Sequence, residues 1–280
     1  MDSRRLFILK IITVGFFLAS GTYAAGDALV YPKPTADFDK RSEYPLRLLK
    51  LALAKSGAKY ELVPGDTVMN KARVAVELAD GHIDVAWMVT NREREAKNLP
   101  VRICIFKGLG GWRAALIRKG DEARFSGIAG LSDLRKLQAG QQEDWPDTAI
   151  LRNSGIPVIT TTSYDTLFKM LQAGRFDWFP RNIMEIWDEA EIWKEKGIAI
   201  ETHLLIRYPS AYYFFVNKNN PELAAQIERG LKIALADGSF DALFIECHGD
   251  VVAKAKVGNR LIIDIPNPYF PTLSPRQGSD

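Results

Sequence analysis

Residues 28–31 read as a short strand closed by Pro32 and Pro34, and the apolar set Leu46, Leu48, Leu49, Leu51, Ala52 and Leu53 marks a helix that stops at Gly57. Residues 60–63 form the next strand, 68–79 a helix ending at Gly81, and 83–89 another strand. This βαβαβ alternation predicts an α/β fold with a largely parallel sheet and helices on both faces.

The pattern repeats itself. Leu78-Ala79-Asp80-Gly81-His82-Ile83-Asp84-Val85 is echoed by Leu171-Gln172-Ala173-Gly174-Arg175-Phe176-Asp177-Trp178. Each reads as a helix end, a glycine able to take a left-handed cap, one residue, then an apolar-Asp step into a buried strand. The glycines stand 93 positions apart, the size of a small lobe. Two similar lobes explain a match of this order better than chance. Strands at 114–117, 158–160 and 198–205, with helices at 131–134, 164–171 and 183–195, supply the second lobe. The helices at 221–235 and 240–247 have little sheet of their own beyond 261–265, so the tail is expected to pack back on lobe one. The expected division is lobe one at 26–110 and 210–280, an inserted lobe two at 111–209, and crossings near 107–114 and 207–214. Ligands of open parallel sheets bind beyond the carboxyl ends of the strands, which places a cleft between the lobes.

The first two dozen residues change where the protein is expected to act. Arg4, Arg5 and Lys10 precede an apolar run from Ile11 to Ala19, and Thr22-Tyr23-Ala24 offers a signal-peptidase site, so residues 1–24 are read as a signal peptide. The run is shorter than the roughly 20 residues of a bilayer span, and the mature chain is expected to be a monomer free in the periplasm. Cleavage takes Arg4, Arg5, Lys10 and Asp2 from the 37 basic and 34 acidic residues, leaving 34 against 33. That near-neutral balance argues against a nucleic-acid partner. Cys104 and Cys247 are too few for a zinc site, and His82, His203 and His248 lack metal spacing, so neither metal nor cofactor is expected. An oxidising compartment permits a Cys104–Cys247 disulfide; two buried thiols are the other reading.

The chain resembles the extracellular solute-binding proteins of family 3, which have the periplasmic type II binding fold. The resemblance rests on the Gly-x-Ile-Asp-Val strand start followed by Thr90 to Arg94, on Ser132-Asp133-Leu134, on the Gly174-Arg175-Phe176-Asp177 echo, and on Asp237-Gly238-Ser239-Phe240-Asp241. It covers essentially the whole mature chain. A narrower likeness, to a bacterial branch, lies in Gly108-Leu109-Gly110-Gly111-Trp112-Arg113, Phe179-Pro180-Arg181 and Asn267-Pro268. The resemblance implies that an arginine after Thr90 forks onto a ligand carboxylate; Arg94 is favoured and Arg92 is the alternate. It also implies an aspartate after the second echoed strand to hold the ligand ammonium, but this chain has Pro180-Arg181-Asn182. Arg181 either meets a second carboxylate or pairs with Glu185 one turn on. Trp87, Trp112 and Trp145 fall at strand ends or loops near the cleft, where they stack on a ligand or pack the core. Gln141, Gln142 and Asp144 lie in the loop that presents donors in lobe two. With Tyr31, the expected ligand-binding set is Tyr31, Trp87, Thr90, Arg94, Trp112, Gln142, Trp145 and Arg181.

No Gly-x-Ser-x-Gly elbow, phosphate loop or His-Glu-x-x-His occurs, so no catalytic residue is assigned. The expected function is capture of a small polar, carboxylate-bearing, amino-acid-like ligand by hinge closure for an ABC-type membrane permease. The alternatives are a ligand sensor for a membrane receptor and a dehydratase-like enzyme on the same fold.

Overall fold

The structure is a computed structural model that describes residues 27–34 and 40–271. The signal-peptide reading of 1–24 lies outside the described residues. Lobe one begins with β1 (Asp27–Lys33), α1 (Lys40–Ser56), β2 (Tyr60–Val68), α2 (Lys71–Ala79), β3 (Val85–Val89), α3 (Arg92–Lys97) and β4 (Asn98–Val101). The chain then crosses into β5 (Trp112–Arg118), α4 (Glu122–Ser126), α5 (Leu131–Leu134), β6 (Ala139–Gln142), α6 (Pro146–Asn153), β7 (Val158–Thr161) and α7 (Tyr164–Gln172). Lobe two continues through β8 (Phe179–Asn182), α8 (Ile186–Trp193), β9 (Ile198–Ile200) and β10 (Leu204–Arg207). Last come β11 (Tyr212–Asn217), α9 (Pro221–Ala236), α10 (Ser239–Ala255) and β12 (Leu261–Asp264).

The echoed motif performs one task twice. Gly81 and Gly174 both take left-handed backbone, at φ +81° and +69°, to end α2 and α7. Two residues on from the following His82 or Arg175, an aspartate locks its strand to the neighbouring one. Asp84 accepts the Val30 N–H at 2.7 Å while its own N–H reaches the Val30 carbonyl at 2.8 Å. Asp177 accepts the Gln138 N–H at 2.8 Å, and its N–H reaches the Gln138 carbonyl at 2.8 Å. These pairs attach β3 to β1 and seat the start of β8 against β6, where Ala139 bridges Trp178 in parallel.

The sheets are mixed, not mostly parallel. β1 pairs with β2 in parallel, and β6 with β7. β11, however, lies antiparallel between β3 and β4, and β5 lies antiparallel to β8, β9 and β10. β5 and β11 are the strands that each lobe receives directly from a crossing.

The C-terminal segment also divides. α9 and α10 pack on α1, with Arg47 of α1 bonded to Glu246 of α10 at 2.7 Å, and Tyr60 of β2 adds a bond to Gln226 of α9 at 3.0 Å. β12 does not follow them: it adds in parallel to β10, extending the lobe-two sheet instead of joining lobe one. The reason is apolar registry, since Leu204, Leu205 and Ile206 lie against Leu261, Ile262 and Ile263. After β12 the chain returns across the hinge. Ile265 donates to the Arg207 carbonyl at 2.9 Å, Asn267 Nδ2 to the Pro209 carbonyl at 2.8 Å, and Phe270 packs on the lobe-one cluster of Val74, Leu78, Met88 and Tyr213.

Candidate functional site

Lobe one presents its candidates at the carboxyl end of β3. Trp87 lies 6.1 Å from the Tyr31 ring, which projects from the end of β1 beside it. Asn91 caps α3 by accepting the Arg94 N–H at 2.8 Å, so the helix starts on the residue type that best caps it. Thr90 is buried, and its hydroxyl donates to Glu95, which also takes both ends of the Arg102 guanidinium. Thr90 thus anchors α3, the helix that carries Arg94.

Arg94 is half-buried, and its Nη1 donates to the Val89 carbonyl at 2.5 Å. Among the described residues no carboxylate stands within ion-pair distance of it. Burial pulls its pKa down, with Tyr212 and Glu93 opposing. Arg92 is exposed at the helix start and shares none of this environment.

Lobe two gathers Trp145 and Arg181 and gives the arginine two carboxylate partners of its own lobe. Arg181 Nε reaches both Glu189 oxygens at 2.7 and 3.0 Å, and Nη2 reaches Glu189 at 2.5 Å and Glu185 at 2.8 Å. Its Cζ lies 4.6 Å from the Trp145 ring centre. Burial would lower the Arg181 pKa, but Glu189 reverses the shift and leaves it raised. A guanidinium with two carboxylates of its own lobe does not require a ligand anion. The Glu185 pairing was legible as an i, i+4 spacing; Glu189, eight residues on, was not.

A second ion pair lies beside it. Arg113 Nε donates to Asp147 at 2.5 Å, the Tyr208 hydroxyl donates to the same oxygen, and Arg113 stacks over the Tyr208 ring at 4.9 Å. Burial would lower Arg113, yet Asp147 and Tyr208 hold it raised. Tyr212, at the start of β11, feels both lobes: burial pushes its phenol up, Glu185 adds to the rise, and Arg113 and Arg94 hold it back. Sequence reasoning missed Arg113, Tyr208 and Tyr212 as polar cleft residues, because their partners are set by the crossings and not by spacing.

The remaining candidates lie around this centre. Trp112 takes Arg207 over its ring at 5.1 Å, next to the hinge. Gln142 is half-buried and its carbonyl accepts from Thr148 at 2.7 Å, whereas Gln141 is fully buried and donates to the Pro180 carbonyl at 3.1 Å. A groove of about 540 Å³ runs between residues 143–153 and Tyr269, and it holds one of the eight candidates, Trp145. Of the eight candidates, Trp145 and Arg181 meet at the charged centre and Tyr31 meets Trp87 in lobe one. Cys104 and Cys247 are free thiols. Among the described residues no group of three or more His, Cys, Asp or Glu side chains has metal-holding geometry, and no helix is long and apolar enough to cross a membrane.

No family model and no curated protein matches the sequence. Solved structures do. An ancestral arginine-binding protein bound to arginine superposes with a TM-score of 0.53 at 20% identity, over 80% of this chain and 98% of that one. An amino-acid ABC transporter substrate-binding protein from Streptococcus pneumoniae bound to L-arginine gives 0.51 at 15% identity, over 81% and 96%. A histidine kinase sensor domain with similarity to periplasmic binding proteins gives 0.53 at 17% identity, over 80% and 96%. The chain therefore has the two-lobed fold of the periplasmic type II binding proteins.

Proposed function

We propose that the protein is a periplasmic solute-binding protein that closes on a small amino-acid-like ligand and delivers it to a membrane permease. The observation that carries this is the Arg94 guanidinium, partly drawn out of water at the end of β3, whose side-chain hydrogen-bond partner among the described residues is the Val89 carbonyl. A partly desolvated cation with no counter-ion among the described residues is costly, and a ligand carboxylate supplies both the charge and the fork geometry that arginine matches.

The other charges refine the ligand. Arg113 is balanced by Asp147, and Arg181 faces two carboxylates, so that side of the cleft carries a net charge of −1. Arg94 opposite it carries +1. A zwitterion fits this division, with its carboxylate on Arg94 and its ammonium toward Glu185. In this reading Arg94 alone takes the ligand anion, since Arg181 has two carboxylates of its own lobe. Tyr31 and Trp87 supply apolar surface beside Arg94. The likeness to a kinase sensor domain supports a second reading in which the same capture step reports to a membrane receptor.

A thermal-shift screen of the mature protein against amino acids, dicarboxylates and polyamines tests the reading. A zwitterionic amino acid at 100 times its Kd is expected to stabilise the fold by about 2.7 kcal/mol. A preference for polyamines, or no response to any metabolite, would overturn it.

A further inference from the structure

Arg181 sits inside a receptor that the rest of lobe two builds around it. Its guanidinium carbon lies 4.6 Å from the Trp145 ring centre, 5.2 Å from Phe179 and 5.5 Å from Tyr164. Glu189 takes the guanidinium edge through Nε and Nη2, and Glu185 takes a further contact on Nη2. Flat π faces combined with a carboxylate fork are the complement of a planar guanidinium.

The walls hold one another without the arginine. Trp145 stacks on Phe179 with ring centres 6.2 Å apart and planes 16° apart. Phe168 meets Phe179 edge-on at 5.3 Å, stacks on Trp193 at 4.7 Å, and takes Tyr164 edge-on at 5.1 Å. The Tyr164 hydroxyl donates to Glu189 Oε1 at 2.6 Å, fixing the carboxylate from a third element. Arg181 is 8% exposed and Glu189 9%, whereas the Glu185 side chain is 41% exposed and marks the open side of the box.

We propose that Arg181 is a specificity determinant: an internal guanidinium that fills this aromatic and acidic receptor, so that a ligand bearing a guanidinium or extended ammonium side chain cannot place it there, and can do so once Arg181 is shortened. The statement about ligand choice rests on the cleft being a ligand site. The receptor itself does not, and it can be tested with methylguanidinium alone.

The experiment compares the wild-type protein with Arg181→Ala, Arg181→Ser and the double variant Arg181→Ala/Glu189→Gln, by calorimetry and thermal shift with methylguanidinium, and with urea as the neutral isostere. Both single variants are expected to take up one methylguanidinium and to melt at higher temperature in its presence. The wild type should bind none, urea should have no effect, and Glu189→Gln should weaken uptake by about tenfold or more. Folding of a single variant only when methylguanidinium is added would support the same conclusion. Uptake that is equal in wild type and variants, or failure of both single variants to fold or bind with methylguanidinium present, would overturn it, since the walls would then not form a receptor by themselves. A wild-type protein that responds to no metabolite while the variants still take up methylguanidinium would refute the proposed ligand capture and leave the receptor standing.

Discussion

A Cβ placed on Gly111 would lie 2.0 Å from the carbonyl oxygen of Tyr208, so the first two crossing segments touch backbone to backbone. The Tyr208 N–H also donates to the Gly111 carbonyl at 3.1 Å, and the Ile105 N–H to the Tyr212 carbonyl at 3.0 Å. The two crossings are therefore joined through backbone hydrogen bonds, with no room for a side chain at Gly111. Because the obstacle is backbone, Gly111→Ala is expected to cost about 1–3 kcal/mol or more, as an overpacked interior does. Gly127, where an added Cβ meets nothing within 4 Å, is the control and should change stability by about 0.5 kcal/mol at most. Urea unfolding of the two variants checks this; equal midpoints would refute a tight hinge.

Arg94 and Arg92 set the proposed ligand arginine against a solvated helix start. With an amino acid identified by screening, Arg94→Ala should lose about 2–5 kcal/mol of affinity, and Arg94→Lys should recover only part of it, because an ammonium cannot make the fork. Arg92→Ala should bind like wild type. Calorimetry decides it, and the reverse ranking would move the ligand arginine to Arg92.

How much of this was legible depends on how local each signal is. The helix, glycine and aspartate echo was readable because Gly81 with Asp84 and Gly174 with Asp177 act within a few residues of each other in sequence. What the aspartates bond to was not readable, since Val30 and Gln138 lie 54 and 39 residues away. The strand written at 198–205 divides into β9 and β10, separated where buried Glu201 accepts the His203 and Leu204 N–H groups. Alternation cannot reveal such a turn. Arg94 stands out in the sequence through its place after a strand end together with the family resemblance. The neutralisation of Arg181 was hidden, because its principal partner comes from a helix two turns further on and is fixed by Tyr164 from another.

Asp147 ties pH to stability. Burial works to raise its carboxyl, but Arg113 and Tyr208 override burial and hold it below the ordinary carboxylate range. A group depressed in the folded state stabilises above its unfolded value, near 3.9, and that stability disappears as pH falls through the folded value. Asp147→Asn should therefore cost about 3 kcal/mol at neutral pH, by leaving Arg113 without its anion. It should also flatten the loss of stability seen below about pH 4. Urea midpoints measured across that range test both; parallel curves for variant and wild type would place the acid sensitivity elsewhere.

The segment after β12 is a third connection between the lobes, and its removal should loosen them. Arg207 and Asp264 form a two-bond fork at 2.6 and 2.7 Å on the lobe-two side, exposed enough to contribute at most about 1 kcal/mol. The grip comes from the residues beyond that fork: buried Ile265, the Asn267 bond to the Pro209 carbonyl, and Phe270 seated in lobe one. Truncation after Ile265 removes the Asn267 bond and the Phe270 contact, together worth about 2 kcal/mol, while leaving β12 in its sheet. Because those contacts span the hinge, their loss should show in geometry as well as in stability. The ligand-free truncated protein is expected to have a larger radius of gyration by small-angle scattering and to release ligand faster. Truncation after Pro271 keeps the crossing and should match the full chain in both measurements. If the two truncations scatter alike, the third crossing does not restrain the lobes.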